Sequence, residues 1–210
     1  IGLNGKGEWD DSSNNGGGDT TEIKREAGSI IPNGAKYTKA DGTTLEGNGT
    51  NKFPDAPAKN DKYEEEDYIY TYGETYSVSG WEVAVKDNTK TSYGQIISKI
   101  AGGDLVSMFD TFCYCYSLTV APEIPSTVID LTAAFAETAI ITAPVIPSNV
   151  KYMNNTFDTC WALTGTITIN ANPEKYTDCF YRVTNPIVLT GSSTKLAEIA
   201  AINSYVTVQQ

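Results

Sequence analysis

The stretch Val150-Lys151-Tyr152-Met153-Asn154-Asn155-Thr156-Phe157-Asp158-Thr159-Cys160-Trp161-Ala162-Leu163-Thr164 decides the fold, because its apolar positions recur on either side of it. Phe157 is preceded by Phe135 and Phe112 and followed by Phe180, at intervals of 23, 22 and 23 residues. Seven residues before each Phe stand Leu105, Val128, Val150 and Pro173, and four before stand Met108, Leu131, Met153 and Tyr176. Three after stand Cys115, Thr138, Cys160 and Val183. Six after stand Leu118, Ile141 and Leu163, with Ile187 one place late in the last unit. Ile124-Pro125-Ser126-Thr127-Val128 is matched by Ile146-Pro147-Ser148-Asn149-Val150, and Ile169 takes the same column in the third unit. Self-similarity at a period in the twenties specifies a stacked solenoid.

A unit this short cannot bury its own apolar face, so it buries that face against the next unit. Each column above is therefore predicted to be an internal ladder. Proline fixes φ and lacks an amide donor, so the Ile-Pro-Ser segments mark corners between strands. The one-residue length difference between the first two units is placed at Val120, in a connecting stretch. A solenoid needs covered ends. At one end, Tyr68–Tyr72 and Tyr76–Val85 read as a β-hairpin or a pair of strands, with Trp81, Val83 and Val85 on one face. Lys86–Thr89 reads as a turn, and Ser92 caps a short helix carrying Ile96, Ile97 and Ile100, stopped by Gly102-Gly103. At the other, Ser193-Thr194 caps a helix carrying Leu196, Ile199 and Ala200, and Tyr205–Val208 forms a last strand. The expected organisation is a polar Gly-rich segment or linker over 1–62, partly irregular; a hairpin-plus-helix cap over 63–103; about four repeats of 22–23 residues over 104–190; and a helix-strand cap over 191–210. The fold class is mainly β, within the α/β solenoid class.

The frame V-x-x-M-x-x-x-F-x-x-C-x-x-L-T, complete in Val150–Thr164, resembles the BspA-like leucine-rich repeats of bacterial surface proteins. The first unit departs from it at Leu105, the second at Leu131, Thr138 and Ile141, and the fourth is degenerate. The resemblance spans residues 104–190 and implies a leucine-rich-repeat scaffold in a secreted or surface-anchored bacterial protein. Such proteins serve in adhesion or ligand binding, and the resemblance implies neither a catalytic residue nor a cofactor.

The first 62 residues hold eleven of the 18 glycines, and Asp10–Asp19 is linker-like: small, polar and lacking the residue order of a calcium loop. Ile30–Ala35 and Ala40–Thr43 read as turns joining short strands, and Glu64–Asp67 as a solvated edge. Fifteen Lys and Arg against 26 Asp and Glu give a net charge of −11, which repels phosphate backbones and anionic lipid. Nucleic acid is thereby disfavoured as a partner. No run of about 18 apolar residues occurs, so direct membrane insertion of this segment is not expected. No charged-then-apolar secretion signal is present either, and the expectation is that any such segment has been removed.

Histidine is absent, which excludes Ser-His-Asp and Cys-His catalysis and imidazole-bound zinc. Gly16-Gly17-Gly18 lies in a polar tract and not between a strand and a helix, so it is no phosphate cradle. Acids such as Glu123 and Glu137 show no spacing that marks a catalytic pair. No enzyme, metal site or cofactor is expected. Cys115 and Cys160 share a column two units apart, about 10 Å at strand spacing, beyond disulfide reach. Cys113 and Cys179 are three units apart, so no disulfides are expected. The residues flanking the Cys column point outward, which groups Tyr114, Tyr116 and Trp161 into an aromatic shelf with Tyr152 and Tyr181 near it; the alternative reading is that these rings lie flat on neighbouring repeats as side packing. These are the candidate ligand-binding residues, for a protein or glycan at the cell surface. The alternative is a structural subunit of a surface appendage or phage particle whose repeats mediate assembly.

Overall fold

The computed structural model describes residues 22–209. Asp10–Asp19, including Gly16-Gly17-Gly18, lies outside the described residues. The chain is mainly β, with 31% of residues in strands and 3% in helix, and it winds a β-solenoid of about 6 turns. Four of these turns carry the Phe column. Phe112, Phe135, Phe157 and Phe180 are fully buried and stacked, with centroids 5.3, 5.7 and 5.5 Å apart and ring planes within 12–14° of parallel. Leu105, Val128 and Val150 line the same interior, as do Met108, Leu131 and Met153, and Cys115, Thr138 and Cys160.

Two departures follow from one missing residue. Leu118 and Leu163 are buried, but Ile141 is 51% exposed and Ile140 fills the column instead. The second unit is short between Thr138 and Ile140, where Cys115–Leu118 and Cys160–Leu163 each have one residue more. The length difference is therefore in that corner and not at Val120, which pairs directly with Thr142. Another unlike position is Tyr176, which is only half-buried in the Met column and meets Lys195 at its ring and Glu198 at its hydroxyl.

Each turn divides its amide donors into two sets. Alternate donors run forward to the next turn: Phe112 N–H to the Ala134 carbonyl at 2.9 Å, Phe135 to Thr156 at 3.0 Å, and Phe157 to Cys179 at 2.9 Å. The positions two before, two after and four before Phe112, Phe135 and Phe157 do the same. The intervening donors close β-turns, as Thr111 N–H does on the Met108 carbonyl and Cys115 on Phe112. Those turns require a left-handed third residue. Two before each Phe, Asp110, Ala133, Asn155 and Asp178 have φ of 53–55°; two after, Tyr114, Glu137, Thr159 and Arg182 have φ of 53–62°. The left-handed backbone is unfavourable for non-glycine residues by roughly 1–2 kcal/mol each, so the forward hydrogen bonds must hold it.

The second wall of the solenoid is a parallel sheet in which β9 (Gly165–Thr168), β10 (Ile187–Thr190) and β11 (Val206–Val208) lie side by side. Gly191, φ 118°, turns the chain where a Cβ would meet the Ile169 backbone at 2.4 Å. The helix α1 (Leu196–Ala200) then buries Ile199 and Ala200 over the last turn. Its first residue is preceded by Lys195, with no side-chain cap, so Ser193-Thr194 is not the cap. Ser193 Oγ instead accepts the Lys195 amide at 3.2 Å.

The other end is an eight-stranded sheet. It comprises β1 (Ile23–Arg25), β2 (Lys36–Thr38), β3 (Thr44–Glu46), β4 (Lys62–Glu65), β5 (Tyr68–Thr75), β6 (Val78–Val85), β7 (Ile97–Ile100) and β8 (Gly103–Ser107), in the order β1-β7-β8-β6-β5-β4-β2-β3. The helix predicted to carry Ile96, Ile97 and Ile100 is thus replaced by the strand β7, Ile97–Ile100. Its three isoleucines are β-branched, β7 lies between two strands, and Ala101-Gly102, both with positive φ, make the two-residue turn of a hairpin. A short apolar run is where helix and strand periodicity cannot be told apart. The sheet also crosses the boundary set at residue 62. Four of the apolar residues before it, Ile31, Ala35, Tyr37 and Phe53, are buried, and Tyr37 packs its ring on Tyr63 and Trp81. Glu64, Glu65 and Asp67 pair with Lys36, Arg25 and Lys90 and so are not a freely solvated edge. Tyr93 and Tyr68 cover Phe112, with centroids 5.1 and 6.3 Å from it, which extends the aromatic column into this cap.

Candidate functional site

Tyr114 stands at a left-handed position, which turns its side chain out of the solenoid wall. Tyr116 and Trp161 share the column four residues after Phe, with Ala139 in the turn between them. The three rings are 52%, 56% and 45% exposed. Tyr114 and Tyr116 have centroids 6.1 Å apart at 54°, and Tyr116 and Trp161 are 6.3 Å apart at 27°. Two rings two turns apart approach this closely only by leaning over the small Ala139. The Trp161 and Leu163 carbonyls accept from Asn185 Nδ2 at 2.9 and 3.2 Å, which fixes the backbone beneath the indole.

Of the five aromatic residues singled out, the structure brings these three together. Tyr181 is exposed one position after Phe180 and carries the Arg182 guanidinium 5.1 Å from its centroid. Tyr152 is not on the shelf. It lies five residues before Phe157 and stacks on Tyr76 at 3.7 Å. Tyr76 and Ser77, both with positive φ, form the tip of the β5–β6 hairpin. The reason is tertiary: the hairpin tip reaches the third turn, which the repeat alone does not encode.

Three carboxylates, Asp110, Glu137 and Asp158, lie around Cys113, the chain neighbour of Tyr114. Glu137 Oε2 accepts from Tyr116 Oη at 3.3 Å, and Asp158 Oδ1 accepts from Thr159 Oγ1 at 2.7 Å. Burial pushes the half-buried Cys113 thiol up to about 11, reinforced by the charges of Asp110, Glu137 and Asp158 around it. Burial and then Glu137 raise Tyr116 in the same direction. The sequence singles out only Glu137 of these, as an acid without a catalytic partner; Asp110 and Asp158 occupy other columns and meet it around Cys113 only when the turns are stacked. The four cysteines are free, and Cys115, Cys160 and Cys179 are buried.

A separate shallow groove of about 480 Å³ runs between Ala121–Ile124 and Thr142–Pro147, beside the exposed side chains of Val120, Ile141 and Val145. It includes Glu123, far in the repeat from the Glu137 column. Among the described residues no group of three or more Cys, Asp or Glu side chains could hold a metal ion, and no helix is long and apolar enough to cross a membrane. Comparisons with protein-family models, curated proteins and solved structures give no match.

Proposed function

We propose that this chain is a non-catalytic binding module of an extracellular bacterial surface protein of the BspA-like leucine-rich-repeat type, acting in adhesion to a host or environmental protein or glycan. The observation that carries this reading is the cluster of Tyr114, Tyr116 and Trp161, three half-exposed rings held on a rigid repeat wall. Clustered aromatic rings with open faces anchor contacts at low entropic cost, because they have few rotatable bonds to immobilise. Binding of the intact chain and of Trp161→Ala to arrays of glycans and matrix proteins tests it. Loss of a specific signal with an unchanged circular dichroism spectrum is expected, and a signal that survives removal of both Trp161 and Tyr116 overturns it.

One observation favours the assembly reading as a second. The amides of Tyr176, Asp178 and Arg182 occupy positions that donate forward in the other three turns and have no acceptor among the described residues, while Phe180 between them is fully buried. An open row of donors is a template for further backbone pairing. Concentration-dependent light scattering tests this role, with end-to-end association the supporting result and a monomer at all concentrations the opposing one.

A further inference from the structure

We infer that the ring cluster of Tyr114, Tyr116 and Trp161 docks a basic segment of a partner protein, whose Lys and Arg side chains lie on the rings beside Glu137 and Asp158. This deepens the binding role proposed above and rests on it. Three observations carry it.

The first is the charge of the wall. Across the turn positions from two before to about five after each Phe, the carboxylates are Asp110, Glu137, Asp158 and Asp178, and the only basic residue is Arg182. An aromatic face presents negative charge, and carboxylates at its rim add to the attraction for a cation. A neutral glycan can donate hydroxyl hydrogen bonds to these carboxylates but leaves their charge uncompensated, whereas a Lys or Arg side chain neutralises it.

The second is the pose already present in the chain. Arg182 sits 5.1 Å from the Tyr181 centroid on the same wall, one turn beyond Trp161. Lys195 does the same on Tyr176 at 5.3 Å. A cation thus lies over a ring at two places on this solenoid, and among the described residues none lies over Tyr114, Tyr116 or Trp161.

The third is ring spacing. Tyr116 and Trp161 are 6.3 Å apart at 27°, which is less than the roughly 7 Å that a planar group needs to sit between two rings at contact distance. The ligand therefore lies along the outer side of the cluster, where an extended segment with alternate basic side chains reaches Trp161 and Tyr116 in succession.

The test uses the whole chain and a short peptide alternating Arg and Gly, with a peptide of Gln and Gly as neutral control and a neutral oligosaccharide as the third probe. Binding is read by calorimetry at low and physiological salt. The shelf variant is Glu137→Gln with Asp158→Asn. The control variant, Asp41→Asn with Glu46→Gln, removes the same charge from an exposed region around β3. Circular dichroism checks that each variant is folded. The expected result is binding of the Arg peptide only, weakened about tenfold by the shelf variant and by Trp161→Ala, and less than about twofold by the control variant. Equal weakening by both charge variants overturns the inference, since the attraction is then a property of net charge. Oligosaccharide binding that needs Trp161 and ignores the shelf carboxylates also overturns it while leaving the binding role intact. If no probe binds and the arrays are silent as well, both fall.

Discussion

Replacing Phe157 tests the solenoid where its logic is most exposed. The ring is fully buried, with Phe135 at 5.7 Å on one side and Phe180 at 5.5 Å on the other. Truncating a buried Phe to Ala costs about 3–5 kcal/mol through lost burial and the cavity left behind. Phe157→Leu keeps most of the apolar volume but gives up two ring contacts, each worth about 0.5–1.5 kcal/mol, so a loss of about 1–3 kcal/mol is expected. Tyr114→Leu, on the exposed wall, serves as the control and is expected within about 0.5 kcal/mol of the parent. Urea unfolding followed by far-ultraviolet circular dichroism gives each value. Native-state hydrogen exchange adds position. The amides of Asn155, Phe157 and Thr159, which donate to the Thr177, Cys179 and Tyr181 carbonyls, lose protection before those of β5 and β6. Phe135→Leu combined with Phe157→Leu is expected to show a coupling of about 0.5–1.5 kcal/mol, because the two rings touch. A loss below about 1 kcal/mol for Phe157→Ala refutes the stacked column as the source of stability, as does strict additivity of the double variant.

Other expectations are independent of that column. Ala133 is left-handed with φ 53° in a column otherwise filled by Asp110, Asn155 and Asp178, so Ala133→Asn is expected to stabilise the chain by about 0.5–1 kcal/mol in urea unfolding, and Ala133→Val to destabilise it. Glu65 is pushed up by burial but more strongly held down by hydrogen bonds from Arg25 and Tyr63, so its folded pKa lies below its unfolded value. Its contribution is therefore present above about pH 4.3 and is lost as pH falls through the lower folded value. Arg25→Gln is expected to cost about 1–2 kcal/mol at neutral pH, and the gap in urea midpoint between the two proteins should narrow steadily in acid. Burial pushes the thiols of Cys160 and Cys179 up to about 12 each, and that of Cys113 up to about 11. Alkylation of the folded protein near neutral pH should accordingly be slow, with Cys113 modified first, whereas all four cysteines should react in urea; rapid native labelling of Cys160 would contradict the buried ladder.

The repeat was legible because a solenoid writes the same physics into every turn. Phe, Met or Leu, and Cys or Thr recur where the interior recurs, and the structure places those columns inside. Ile141 was misplaced because a gap of one residue can be set anywhere between two matched columns, and only packing chooses Ile140. The left-handed positions also left a trace in the sequence, since three of the four residues two before Phe are Asp or Asn, the types that tolerate positive φ. The eight-stranded cap has no such repetition. Its β7 was read as a helix, and its β1–β3 were hidden in a stretch whose polar composition masks the few residues, such as Tyr37 and Phe53, that do the burying. The candidate site was half legible. Tyr114, Tyr116 and Trp161 follow from the columns, but Tyr152 is claimed by Tyr76 from a distant hairpin tip, and no column predicts a contact between the cap and the third turn.

The backbone that makes the turns also sets the shelf. Tyr114 projects outward because it is the left-handed residue of its turn, and Tyr116 follows it two positions later, before the corner at Leu118. Trp161 holds the same place two turns on, tied through its carbonyl to Asn185. None of these side chains is carried on a long loop, so little backbone entropy is lost when a partner settles on them. Affinity at this wall then depends on what lies over the rings and beside the carboxylates, not on ordering the wall itself. A change that loosens the turn without touching a ring separates the two contributions. Ala136 carries the carbonyl that receives the Tyr114 amide at 3.1 Å. Disturbing the turn around it should weaken ligand binding together with protection of that amide, whereas trimming a ring should weaken binding and leave protection unchanged.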